Sequence, residues 1–289
     1  MNQFDNSNSW VLLSSIEKSI KEKIEKVGTP LKEWNIQIYR GILTGYNEAF
    51  IISTEKRNEI LDNCKDDAEK KRTEEIIRPI LRGKDIKRYG YEWKDLWLIN
   101  THNGIKGQVE RIHIEDYPAI KRHLDKYWGK IEKRSDKGDT PYNLRNCTYM
   151  DDFNKPKIIW KIIGNRLAFA LENKKMFLNN ACYILTCNDG GLEYLEAMLN
   201  SNAILWYSFV TNMNKTGVGD VQVGAQNIHI IPIPKQPREK QLICKYVSIL
   251  HDNMNHDIIN KIESLVYKIY GFSEAEQQFL VKFANDIYQ

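Results

Sequence analysis

The chain has 289 residues, 42% of them hydrophobic and 28% charged, with a formal charge of +4 and a pI near 8.6. That length can bury a large core, and that composition excludes a disordered tail. The excess of Lys and Arg is too small to identify a polyanionic partner, so local clustering has to carry any such claim.

Taken in chain order, the first nine residues are polar and lack the charged-then-apolar order of a secretory leader. From Trp10 the apolar residues Trp10, Leu13, Ile16, Ile20, Ile24 and Val27 recur three or four apart, which predicts an amphipathic helix. Ser9 is its expected N-cap, and Gly28 with Pro30 its stop. The middle of the chain alternates short apolar runs with Gly, Asn and Asp turns. It reads as strands over 36–39, 50–53, 96–100, 158–162, 168–171, 182–186 and 228–233, interrupted by helices over 55–63, near 73–80, over 118–126 and over 191–209. After Pro237, the spacing of Ile243, Val247, Leu250, Met254, Ile258, Ile262, Leu265 and Ile269 predicts one long helix ending at Gly271. Ser273 and Glu276 then form a capping box for a last short helix. The expected architecture is mixed α/β (α+β): an amphipathic helix over 1–30, a β-sheet domain over 31–235, and a long plus a short helix over 236–289. The narrow seams of the terminal helices call for packing against each other or against a partner.

Five cysteines, with no C-x-x-C pair, point to reduced thiols in a cytoplasm. No apolar run reaches membrane-spanning length. The six histidines show no ligand spacing, so no metal is expected. None of the eight prolines is adjacent to another, so the Asn/Asp-Pro-Pro-Tyr/Phe motif that holds a flipped adenine is absent. The glycine pairs 104/107 and 217/219 complete no nucleotide-binding fingerprint. Glu172-Asn-Lys174 matches the second half of a common nuclease pattern, but no Pro-Asp precedes it.

Basic residues cluster in three places. Arg78, Arg82, Lys84, Lys87 and Arg88 lie in one run beside Tyr89, Tyr91 and Trp93, with Asp85 placed to orient an arginine. Lys130, Lys133, Arg134, Lys137 and Arg145 surround a Gly- and Pro-containing turn. Lys155, Lys157, Lys161 and Arg166 form the third group, in which Lys157 and Lys161 share one face of a strand. Cations of this kind supply phosphate affinity, although each cluster also fits a plain solvated face. The glycine-rich stretch 212–227, with Asn214, Lys215 and Gln222, carries residue types that pair with base edges, and it equally fits a surface loop. Thr44, Gly45 and Asn47 read as a structural turn.

Two stretches, Gly41-Ile-Leu-Thr-Gly-Tyr-Asn-Glu-Ala-Phe-Ile-Ile52 and Ile77-Arg-Pro-Ile-Leu-Arg-Gly-Lys-Asp-Ile-Lys-Arg-Tyr89, are followed in order by further strings. These include Trp97-Leu-Ile-Asn100, Tyr117-Pro-Ala-Ile-Lys-Arg-His-Leu124, Arg134-Ser-Asp-Lys-Gly138, Tyr142-Asn-Leu-Arg145, Pro156-Lys-Ile-Ile-Trp160, Phe177-Leu-Asn-Asn180, Ile231-Pro-Ile-Pro234 and Val266-Tyr-Lys-Ile-Tyr-Gly271. Their order and spacing resemble the TaqI-like C-terminal specificity domain, the target-recognition part of adenine-specific DNA methyltransferases and of fused type II restriction-modification enzymes. The resemblance implies a non-catalytic module that reads a short duplex sequence and presents it to a methyltransferase or endonuclease domain located elsewhere. S-adenosylmethionine would bind only in that other domain, and the terminal helices would brace the module against its neighbour. A type I-like specificity subunit, a helical assembly module and a cryptic nuclease acting through Glu172 remain the alternatives.

Overall fold

A computed structural model describes residues 13–164, 167–211, 214–215 and 221–288. The chain forms two compact units, one built from the segments up to Trp34 and from Glu193 onward, the other from Asn35–Leu192. These boundaries differ from the expected ones because helices Leu192–Asn200 and Asn202–Thr211 belong with the terminal helices.

Unit Asn35–Leu192 holds two four-stranded sheets. The first runs Phe169–Glu172, Lys157–Lys161, Cys182–Cys187, Ile36–Arg40, all antiparallel. The second runs Phe177–Leu178, Ile77–Leu81, Leu96–Ile99, Ile51–Ser53, with its first pair parallel and the others antiparallel. Residues from both sheets, including Ile80, Leu98, Ile159 and Ile184, join Ile120 and Leu124 of helix Pro118–Asp125 in one buried cluster. Ser53 caps helix Thr54–Asp62 by accepting from the Lys56 amide, and Pro118 opens its helix where a missing N–H costs nothing.

The helix expected near 73–80 ends early: helix Asp67–Ile76 gives way to strand Ile77–Leu81. The residue before a proline avoids the α region, and Pro79 has no N–H to donate. Pairing to Trp97 ends at Pro79, and pairing to Phe177 begins at Ile80. The strand therefore changes partner at the residue that cannot serve as a donor.

In the other unit, helix Ser15–Val27 is capped by Ser14 in a capping box with Glu17. Leu13 and Ser14 are not helical, so the helix does not run through from Trp10. The expected Ser9 cap lies outside the described residues. The stretch 191–209 breaks at Ser201, where the Glu263 carboxylate accepts from the Asn202 amide at 3.1 Å and caps the next helix. An anion there complements the helix dipole. The long C-terminal helix divides into Lys240–Asp252 and His256–Tyr270, with the Asn255 side chain accepting from the Asp257 amide. That interruption shifts the buried face: Ile243, Val247 and Leu250 are buried before it, Ile262, Val266 and Tyr270 after it, while Met254 is exposed.

The Ser273–Glu276 capping box forms as expected and opens helix Glu274–Tyr288. Glu276 also accepts from Ser19 at 2.7 Å and Lys23 at 2.6 Å, tying the first helix to the last. The strand expected over 228–233 is instead helix Ala225–His229 followed by strand Pro232–Ile233, which pairs with Thr29–Pro30. No helix among the described residues is long and apolar enough to cross a membrane.

Candidate nucleic-acid interface

Strand ends set the position of four cations. Arg40 closes strand Ile36–Arg40, and Lys161 closes strand Lys157–Lys161 two strands away in the same sheet. Arg82 and Lys84 follow strand Ile77–Leu81 of the other sheet. The turn preceding Cys182 brings Asn179 and Asn180 between them, and together they line a cleft of 530 Å3. Gly41 permits this approach: a Cβ there would lie 2.0 Å from the Asn179 carbonyl oxygen.

The arginines are held in place. Asp85, almost fully buried, accepts from Arg82 Nε at 3.0 Å and Nη2 at 2.9 Å, the bidentate geometry that fixes a guanidinium plane. It also accepts from the Arg82 amide at 2.9 Å. Arg40 Nε donates to the Asn180 carbonyl at 2.8 Å. Lys84 and Lys161 have no hydrogen-bond or ion-pair partner among the described residues, so their charges are available to a ligand. Ile162, Ile163 and Ala181 also line the cleft, and Cys182, packed near Gly83, has its thiol pushed up to about 12 by burial, with the Asp85 charge adding to this.

Tyr39, next to Arg40 on its strand, packs against the core cluster and stacks on Tyr149, with centroids 4.3 Å apart and planes 2° from parallel. Burial raises the Tyr149 hydroxyl to about 12 against the opposing fields of Arg145, from the second basic cluster, and Arg40.

Residues 78–233, more than half of the chain, match the TaqI-like C-terminal specificity domain. The chain belongs to that family. It is 24% identical over 281 residues to the type II methyltransferase M.PaeR7I of Pseudomonas aeruginosa, covering 94% of this chain and 44% of that protein. It is 20% identical over 280 residues to M.XhoI of Xanthomonas vasicola, covering 95% and 47%. The chain thus spans under half the length of these relatives. Among solved structures, the type IIL restriction-modification enzyme MmeI, determined in complex with DNA, superimposes with a TM-score of 0.58 at 13% identity, over 91% of this chain and 37% of its own. The type IIG restriction endonuclease BpuSI gives 0.56 at 13%, over 94% and 32%. At such identities the likeness shows a shared fold.

Within this specificity domain the remaining candidate cations separate by depth. Lys87 and Lys133 are exposed, and Arg88 lies over the Tyr89 ring at 5.4 Å. Arg78 donates to Asn154 Oδ1 at 2.9 Å. Lys137 donates to the Glu132 carbonyl, and Arg145 pairs with Asp136 at 3.3 Å.

Two residues assigned to DNA from sequence are buried instead. Lys157 is fully enclosed and ion-paired with Glu172, its direct cross-strand partner in the antiparallel register. Alternation along the strand does put Lys157 and Lys161 on one face, but only Lys161 reaches the surface. Arg134 is 6% exposed, and its guanidinium donates to the carbonyls of Thr44, Asp136, Pro141 and Asn143 while lying 4.4 Å from the Phe50 ring centroid. Burial lowers its pKa to about 10. Arg134 therefore clamps the 41–47 turn to the 136–143 loop, and Thr44, Asn47 and Gly45 (φ +68°) form that turn as expected.

Glu172 is likewise no open nuclease carboxylate, because it is fully buried and also accepts from the Lys174 and Met176 amides. Among the described residues, no group of three or more His, Cys, Asp or Glu is placed to hold a metal. Arg166 lies outside the described residues. Asn214 and Lys215 pair through their backbones with Gln222 and Val221, and Gln222 is exposed. Sequence reading missed Arg40 and Asn180: Arg40 stands alone among neutral residues, and only strand pairing brings it to the cleft.

Proposed function

We propose that this chain reads duplex DNA as the specificity module of a restriction-modification enzyme, acting in the cytoplasm alongside a methyltransferase or endonuclease domain that binds S-adenosylmethionine and performs the chemistry. The cleft of Arg40, Arg82, Lys84 and Lys161 would take backbone phosphates. The observation that carries this reading is the convergence of four cations from three separate segments on one cleft, two of them unpaired among the described residues, in a chain of the specificity-domain family. The DNA complex known for MmeI supports the same reading.

Titration with random-sequence duplexes tests it. Affinity should fall steeply with salt, and Lys84→Ala/Lys161→Ala should flatten the slope of log K against log salt by about 1.8, from about 0.9 per phosphate contact. An unchanged slope removes the cleft from the interface. No complex at low ionic strength removes DNA altogether.

A further inference from the structure

Residues 103–111 form a narrow hairpin that the phosphate-binding reading does not use. The Ile105 amide donates to the Val109 carbonyl at 2.8 Å, and the Val109 amide returns a bond to Ile105 at 2.9 Å. Gly104 has φ +70°, and a Cβ there would lie 2.4 Å from the Val109 carbonyl oxygen, so the turn requires glycine.

The base of the hairpin is anchored. The Ile112 amide donates to His102 O at 3.0 Å, and the Asn143 side chain donates to Ile112 O at 2.8 Å. Asn103 bonds both Asp139 and Asn146. The acidic groups are engaged: Glu110 with His113 at 3.0 Å, and Asp139 with Arg111 at 3.7 Å. At the tip, Lys106, Gln108 and Val109 are exposed, and the side chains of Lys106 and Gln108 have no hydrogen-bond or ion-pair partner among the described residues.

The hairpin, anchored at its base, presents one cation, one carboxamide and one aliphatic group. A major groove about 12 Å wide admits a two-stranded ribbon, and there Gln pairs with adenine, Lys with guanine, and an aliphatic carbon meets the thymine methyl. At the base of the hairpin Asn103 bonds Asn146, the neighbour of Arg145; the charges of Arg145 and Arg40 both act on the Tyr149 hydroxyl, and Arg40 holds Asn180 of the cleft.

Building on the DNA-binding reading, we infer that the hairpin over residues 104–110 enters the major groove and that Lys106 and Gln108 are specificity-determining residues. Selection from a randomised duplex library, with the wild-type chain and Lys106→Ala/Gln108→Ala, tests this. The variant should keep the wild-type unfolding midpoint, low-salt affinity for random duplex and, because the cleft is intact, most of the salt slope. It should lose the preference at one or two positions and bind the wild-type site about ten- to hundredfold more weakly.

Selection of the same sequence by both proteins overturns the inference, as does a wild-type pool that enriches nothing. Failure of the DNA reading itself has a different signature, the absence of any complex with random duplex.

Discussion

Replacing Lys157 by Met tests the claim that this lysine holds the fold together. Its ammonium donates to Glu172 and to the Phe153 and Lys155 carbonyls at 2.7 and 3.3 Å, with no exposure to water. Burial depresses its pKa, and the Glu172 charge opposes that depression. Methionine keeps most of the stem volume but leaves Glu172 with only neutral donors. Breaking one side of a buried pair costs about 3–5 kcal/mol, a large fraction of the roughly 5–15 kcal/mol that holds a domain folded. The double variant Lys157→Met/Glu172→Leu should recover much of this, short by about 1–3 kcal/mol for the orphaned Lys174 and Met176 amides. The assay is urea unfolding at neutral pH, with hydrogen exchange of strand Lys157–Lys161 assigning the transition to its unit. A cost below about 1 kcal/mol for Lys157→Met, or a double variant that loses the sum of the two single losses, refutes the reasoning. Glu172→Ala should destabilise the unit by a comparable amount, so a loss of activity in that variant would not by itself identify a nuclease carboxylate.

Arg134→Lys, which cannot reach four carbonyls at once, is expected to lower stability by about 2–4 kcal/mol in denaturant unfolding; an effect under 0.5 kcal/mol contradicts the clamp. Gly41→Ala drives a Cβ into the Asn179 carbonyl, and the resulting shift of the 179–181 turn should weaken DNA binding as well as stability, measured by titration and melting. In the helical unit, burial works against ionisation of Glu276, but bonds from Lys23, Ser19 and Ser273 outweigh it and hold the carboxyl near about 2. Its contribution, of order 2–3 kcal/mol, is present above the ordinary carboxylate range and lost as pH falls from about 4.5 toward 2. The hydrogen bond that His251 donates to the Glu196 carboxylate raises its pKa, so that pair stabilises fully below pH 6.5 and fades as pH rises through the shifted value. Thermal melts across pH should show both limbs, and His251→Phe should remove the alkaline one.

Local pattern decided much of this protein. The strands of the first sheet lie within a residue or so of their expected positions, because alternation and β-branched runs encode a half-buried ribbon without reference to the rest of the chain. The Ser273–Glu276 box is similarly self-contained. Asp85 beside Arg82 was also legible, since partners three residues apart meet whatever surrounds them.

Depth was not encoded locally. Lys157 and Lys161 share a face, but only pairing with strand Phe169–Glu172 places Glu172 opposite the first and leaves the second at the rim. Arg134 reads as one more surface cation until four carbonyls from distant turns converge on it. Arg40 and Lys161 are separated by 121 residues of sequence and meet across strand Cys182–Cys187. Charge type is a property of the residue, whereas desolvation and convergence depend on the neighbours that tertiary packing supplies.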